Sequence, residues 1–321
     1  MITVTPDVFP LAQVFTISRG SRTEARVLTV RVTRAGVTGW GECLPYARYG
    51  ETPDSVTAQI ESLPPDITRD ALQGALPAGA ARNAVDCALW DLEAKHSGRR
   101  VWQLAGLAAP GPEAVTYTLS LDRPENMRAA AARHAHRPLL KIKLGTPDDM
   151  PRLEAVRAAA PRTKIIIDAN EGWTAEVYAD LAPHLLRLGV AMVEQPLPAD
   201  ADQDLEGLVY PAPLCADEAV HTSEDLERVA GRYQMVNIKL DKAGGLTEAL
   251  AMADRARALG LGVMAGCMVC SSISIAPHLW VAAQADACDL DGPWWLAQDR
   301  PGGCRVESGV LYPPQSGFWG G

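Results

Sequence analysis

Three acidic residues close three successive short apolar runs: Asp168 in KIIIDAN, Glu194 in AMVEQP and Asp217 in PLCADEA. Lysines flank them along the chain, Lys141 and Lys143 in LLKIKLG before and Lys239 in MVNIKLD after. The carboxylates are 26 and 23 residues apart, about one strand–helix–strand repeat each. Repeats of that length, closed into a barrel, bring their strand ends to one rim, where three carboxylates can hold one divalent cation with lysines to either side. Mg2+ suits such hard oxygen ligands and keeps positions open for water or substrate. Lys141 and Lys143, two apart on one strand, point to the same side, and on an inward face an ammonium needs a counter-charge. The set fits proton transfer at a carbon beside a carboxylate. Removal of that proton leaves a dianionic enolate, and a cation stabilises the charge as it develops. A second ammonium and a dication nearby would lower a lysine from its usual pKa of about 10.4 toward a working base. Each acid taken alone reads equally well as a helix cap or loop former; the recurrence in successive repeats is what favours the metal reading.

The elements that must position these groups follow from the pattern after Val115, where strand and helix alternate. Strands are predicted at 115–120, 139–144, 164–169, 191–195, 213–217, 235–240, 262–266 and 286–291, and helices at 124–136, 148–159, 174–188, 223–230, 246–259 and 271–284. Eight strands at a spacing of roughly 25 residues predict an α/β barrel, a modified TIM barrel of the (β/α)7β kind, because GPWWLAQDRPGG follows the eighth strand with no helix between. Residues 1–112 do not repeat. ITVTPDVF, QVFTIS and ARVLTVRVTRAG read as strands and GWGECLPYARYGET as a loop. Residues 54–62, 68–75 and GAARNAVDCALWDLEAKHSG read as helices, the last stopping at Gly98. The expected organisation is an α+β N-terminal capping domain over 1–112, completed by the tail from about 300 to 321, and a catalytic barrel over 113–299.

Bulk properties narrow the function classes. The chain has 321 residues, 47% hydrophobic and 21% charged, with a net charge of −9. It carries no basic stripe with interleaved aromatics, which argues against a nucleic-acid partner. Seven cysteines show no disulfide framework, as in a reduced cytoplasmic chain. Cys267 and Cys270 form a C-x-x-C without the second pair a zinc site needs, so they read as pocket-wall or core residues. MITVTPDVFPLAQVF lacks the basic start of a signal peptide, and no continuous apolar span of about 20 residues predicts a membrane helix.

With these residues in place, the sequence resembles the enolase superfamily, in its muconate-lactonizing subgroup. The K-x-K of that subgroup matches Lys141-Ile142-Lys143, its metal ligands match Asp168, Glu194 and Asp217, and its opposed lysine matches Lys239. Within the subgroup the chain looks like the L-Ala-D/L-Glu (dipeptide) epimerases, whose Asp-x-Asp after strand eight matches Asp289-Leu290-Asp291. The resemblance implies one Mg2+ per subunit, Lys143 and Lys239 as the two bases with Lys141 tuning Lys143, and Asp289 and Asp291 receiving a dipeptide's α-ammonium. It also implies cap loops near 17–24 and 45–52 that close over the pocket, with Arg19 or Arg22 meeting the side-chain carboxylate of a C-terminal Glu. Asn170 and Glu218 are candidates to support the metal ligands. The implied partner is a small-molecule dipeptide from cell-wall recycling, with a homo-oligomer open. Rival expectations are a cycloisomerase, an o-succinylbenzoate synthase or an N-acylamino acid racemase on the same fold, a Schiff-base lyase using Lys239, or a barrel that binds without catalysis.

Overall fold

The computed structural model describes residues 1–208 and 210–321. Its first module is an antiparallel sheet of β1 (Ile2–Ile17), β2 (Gly20–Arg34) and β3 (Val37–Cys43), followed by α1 (Pro53–Glu61), α2 (Arg69–Ala75), α3 (Ala80–Ser97) and α4 (Val101–Ala105). Two sequence expectations change here. The two segments read as separate strands are one long β1, broken only by a register shift between Pro10 and Phe15. The segment 17–24 is a tight hairpin tip, with residues 20–24 already in β2.

The GWGEC stretch, expected to be loop, is strand β3. Its glycines serve packing: a Cβ on Gly39 would lie 2.0 Å from the Ala88 carbonyl oxygen, and one on Gly41 1.9 Å from that of Ala84. Only a residue without a side chain lets α3 lie this close to the sheet. Helix α3 itself ends where Gly98 takes φ 68°, a left-handed stop.

A short β4 (Glu113–Ala114) leads into eight parallel strands: β5 (Tyr117–Leu119), β6 (Leu139–Lys143), β7 (Lys164–Asp168), β8 (Val190–Glu194), β9 (Leu214–Ala216), β10 (Met235–Ile238), β11 (Gly262–Gly266) and β12 (Ala287–Asp289), paired in chain order. Around them lie α5 (Pro124–His134), α6 (Met150–Ala159), α7 (Ala175–Arg187), α8 (Leu226–Val229), α9 (Leu240–Ala243), α10 (Leu246–Ala258) and α11 (Ser272–Ala282). The predicted helix at 223–230 is a 3-10 turn over Ser223–Asp225 followed by one turn of α8. After β12 there is a 3-10 turn, Gly292–Trp295, where an eighth helix would stand. Strand β12 stops at Asp289, so Asp291 lies beyond it at the head of that turn. The seam between β5 and β12 is joined by the Thr116 amide donating to the Cys288 carbonyl at 2.9 Å.

Inside the barrel Ile166, Met192, Cys215 and Met264 form a small buried cluster. The first three lie two residues before Asp168, Glu194 and Asp217. Strand alternation therefore aims those carboxylates into the same lumen, above an apolar floor. The tail touches the first module and then forms β13 (Arg305–Glu307) and β14 (Val310–Tyr312), which pairs with β4. On its way Ala297 donates to the Pro10 carbonyl at 2.8 Å. Arg300 reaches Asp7 at 3.0 Å, the Thr29 hydroxyl at 2.7 Å, Glu42 at 2.8 Å and Ser271, the N-cap of α11, at 2.7 Å.

Candidate active site

Parallel register sets out the centre. Lys143 pairs with Asp168 across β6 and β7, and Asp168 with Glu194 across β7 and β8. Lys141, Lys143, Asp168, Glu194, Asp217 and Lys239 are all buried. Lys143 Nζ donates to Asp168 Oδ2 at 2.5 Å, and Lys239 Nζ donates to Asp217 Oδ2 at 2.7 Å. Lys141 Nζ stands among three carboxylates, 3.0 Å from Asp168 Oδ2, 2.7 Å from Glu194 Oε2 and 2.6 Å from Asp289 Oδ2. Lys143, ending β6, and Lys239, directly after β10 four strands on, line one cavity together with Asp289 and Asp291.

Burial and facing charge act on these lysines in opposite directions. Burial lowers Lys141 and Lys239, but the facing carboxylates, Asp168 for the first and Asp217 for the second, raise both well above the ordinary lysine value. At Lys239 the lowering by the Lys141 ammonium is outweighed by Asp217 and Glu194. Burial likewise raises Asp168, yet Lys141 and Lys143 hold it below the usual carboxylate range. Glu194 is pushed up to about 8 by burial and by the Asp168 carboxylate.

Whether a metal ion fits can be judged from this charge pattern. Among the described residues no three Asp, Glu, His or Cys side chains stand ready-arranged around an ion. The reason is visible: ammonium groups occupy the carboxylates, Lys141 between Asp168 and Glu194, and Lys239 with Lys242 on Asp217. These ammoniums are stand-in cations. Among the described residues Glu194 Oε2, ion-paired with Lys141 at 2.7 Å, is buried without a hydrogen bond. Three buried carboxylates at adjoining strand ends, one with an oxygen that is ion-paired but not hydrogen-bonded, match the donor set of a hard divalent cation.

The support around this centre includes residues the sequence reading did not single out. Lys242 donates to Asp217 Oδ1 at 2.6 Å and to the Asp217 carbonyl at 2.5 Å. Asn237 donates to Glu194 Oε1 at 2.8 Å, and its place two residues before Lys239 on β10 is a signal alternation offered. The Gln195 side chain accepts from the Asp217 and Ala219 amides at 2.9 and 3.1 Å and donates to the Tyr233 hydroxyl at 3.0 Å; no pattern marks it. Gln195 has φ 34°, and Asn170 and Glu171 have φ 46° and 65°. Left-handed conformations in non-glycine residues within three positions of strand ends are strain of the kind that collects at functional sites.

The remaining candidates separate. The Asn170 backbone amide donates to Asp168 Oδ1 at 2.9 Å. Glu218 binds Arg19 at 2.7 Å and is pushed up to about 7 by burial and by Asp217. Asp289 accepts from the Thr116 hydroxyl and Lys141. Asp291 accepts from the Thr118 amide at 2.8 Å and is pushed up to about 6 by burial and by Asp289. Arg19 and Arg22 both line the cavity. Arg19 also bonds the Asn170 carbonyl at 2.9 Å and Glu171 at 3.1 Å, whereas Arg22 lies over the Tyr46 ring, 5.1 Å from its centroid. Cys267 lines the cavity wall and Cys270 is buried behind it.

A two-module chain with a lysine-and-carboxylate barrel mouth is the architecture of one enzyme class, and the sequence matches it along nearly its whole length. Residues 1–106 match the mandelate racemase / muconate lactonizing enzyme N-terminal domain, and residues 125–318 match the enolase C-terminal domain-like family. The chain belongs to this family of the enolase superfamily. It is 47% identical to the L-Ala-D/L-Glu epimerase of Escherichia coli, covering 97% of this chain and 99% of that one. It is 44% identical to an N-acetyl-D-glutamate racemase from a Pseudoalteromonas species, covering 88% and 91%. A solved Agrobacterium tumefaciens enolase-family structure, described as homologous to dipeptide epimerases and holding sodium and L-Ala-L-Glu, superposes with a TM-score of 0.97 at 48% identity, covering 99% of both chains.

Proposed function

We propose that this chain is a Mg2+-dependent epimerase of dipeptides, interconverting L-Ala-D-Glu and L-Ala-L-Glu by two-base transfer of the Glu α-proton. The observation that carries the reading is that Lys143 at the end of β6 and Lys239 just past β10, strands four apart, line one cavity with Asp289 and Asp291. Two amines facing a carbon from opposite sides can take its proton from one face and return one to the other, which inverts the centre. Asp168, Glu194 and Asp217 would hold the cation, which, when bound, supplies positive charge beside the substrate carboxylate. Lys141, deep among carboxylates, orients that carboxylate from the other side. Asp289 and Asp291 meet the dipeptide's ammonium, and Asn170 and Glu218 steady the rim.

Arg22 is the better partner for the Glu side chain. Arg19 already satisfies two acidic residues and a carbonyl, and among the described residues Arg22 has no such partner. We read the domains as 1–112 and 113–299 with a returning tail, and the setting as cytoplasmic muropeptide recycling. Similarity to the N-acetylglutamate racemase favours a second reading, racemisation of an N-acylated acidic amino acid, which has no ammonium for Asp289 and Asp291 to hold.

A dipeptide library and N-acetylglutamate, each incubated with enzyme and Mg2+ in D2O, separate the two by mass. Deuterium uptake confined to dipeptides with C-terminal Glu, and lost in D291N, supports the first reading. Uptake confined to N-acetylglutamate and kept in D291N replaces it with the second.

A further inference from the structure

We propose that Tyr46 is a positioning residue that assigns the two arginines of RGSR to separate tasks and so sets the preference for an acidic C-terminal side chain. This rests on the dipeptide reading above. The two arginines are three residues apart at the tip of the β1–β2 hairpin and both reach the cavity. Tyr46 touches each through a different part of its side chain. Its hydroxyl accepts from Arg19 at 3.2 Å, on the side where the same guanidinium is drawn to Glu218 at 2.7 Å. Its ring lies under Arg22, 5.1 Å from guanidinium carbon to centroid. Among the described residues Arg22 has no carboxylate or carbonyl partner, so the ring face is what holds it.

Tyr46 is itself braced. Its amide donates to Glu51 at 3.0 Å, and the other Glu51 oxygen receives the Ala80 amide at the start of α3 at 2.7 Å. Its ring meets Tyr49 edge-on at 5.2 Å, and Tyr49 meets His221 of the barrel edge-on at 4.5 Å. The platform under Arg22 is therefore fixed to both modules. A guanidinium resting on an aromatic face keeps its N–H edges free, and those edges bind a carboxylate bidentately. Held this way, Arg22 loses little freedom when an acidic side chain arrives. Arg19, pulled the other way, fastens the hairpin to the barrel and does not compete.

The test compares L-Ala-L-Glu with L-Ala-L-Gln, its neutral isostere, in wild type, Y46F, Y46M and Y46L, with the Tm of each variant measured. Removing the ring should raise KM for the Glu dipeptide about two- to fivefold, the range of a cation–π contact at an accessible site. KM for the Gln dipeptide and both kcat values should hold. Y46F, which keeps the ring, should restore the Glu/Gln ratio, and in an R22M background Y46M should leave that ratio unchanged. Equal effects on both dipeptides in folded Y46M or Y46L, or no effect on either, would overturn the inference. So would a ratio shift that survives R22M. A wild-type enzyme that epimerises neither dipeptide would instead defeat the functional reading on which the inference rests.

Discussion

Lys239 donates its ammonium to Oδ2 of Asp217 at 2.7 Å, so a proposed base and a proposed metal ligand neutralise one another. The same carboxylate keeps a second lysine, Lys242, on Oδ1. A cation held by Asp217 would compete with these ammoniums for its oxygens and would supply positive charge beside the substrate carboxylate.

Chelation should therefore abolish epimerisation, and Mg2+ should restore it. Added Mg2+ should also raise the melting temperature, by linkage of about 2.7 kcal/mol at a hundredfold excess over its dissociation constant. E194Q should remove most of that rise. A differential scanning experiment with and without Mg2+ reads this directly, and full activity in EDTA would sink the metal assignment.

Changing Lys143 or Lys239 to Ala should lower two-way epimerisation by at least about a hundredfold, the lower end of what a positioned acid–base group contributes. One variant should still exchange the α-hydrogen of the L,L isomer with D2O and the other that of the L,D isomer, because each keeps one amine. Epimerisation persisting at near the wild-type rate in either variant would rule out the two-base scheme.

Arg300 is the counter-charge of Glu42, whose side chain is fully buried. Taking away one member of such a pair leaves an uncompensated charge, so R300M should destabilise the fold by about 3–5 kcal/mol. The E42Q/R300M double variant should recover part of that loss. Urea unfolding measures both, and a cost below about 1 kcal/mol for R300M would show that the network is incidental.

Asp241 gives a pH signature. Burial pushes its carboxyl up to about 7, against hydrogen bonds from the Leu44 amide at 3.1 Å and Asn83 at 2.9 Å. The folded chain then keeps a proton that the unfolded chain releases. The resulting stabilisation is complete below the ordinary carboxylate range and is lost as pH rises to about 7. D241N, neutral throughout, should be flatter by roughly 2–3 kcal/mol between pH 5 and 8. Parallel stability profiles for the two proteins, measured by chemical unfolding, would contradict this.

What the sequence showed and hid divides along physical lines. Short apolar runs at regular spacing made the barrel strands legible, and with them the row from Lys143 to Glu194. The lumen position of a residue follows from strand direction alone. GWGEC was misread because Gly39 and Gly41 look like loop formers until a helix is seen lying against them. Lys242 and Gln195 were missed because both follow a strand end and their reach back to Asp217 depends on the loop path. The Arg300 network joins residues up to 293 positions apart, and no local pattern carries such a contact.

Around the barrel, β5 and β12 have no ladder of their own, and two of the contacts that join them run through Asp289 and Asp291. The staves nearest the dipeptide's proposed amino end are thus clasped by the same acids that would greet it. Refitting this enzyme for a partner without an amino group would mean unpicking part of the cask's own fastening. Replacements there should come in compensated pairs rather than singly.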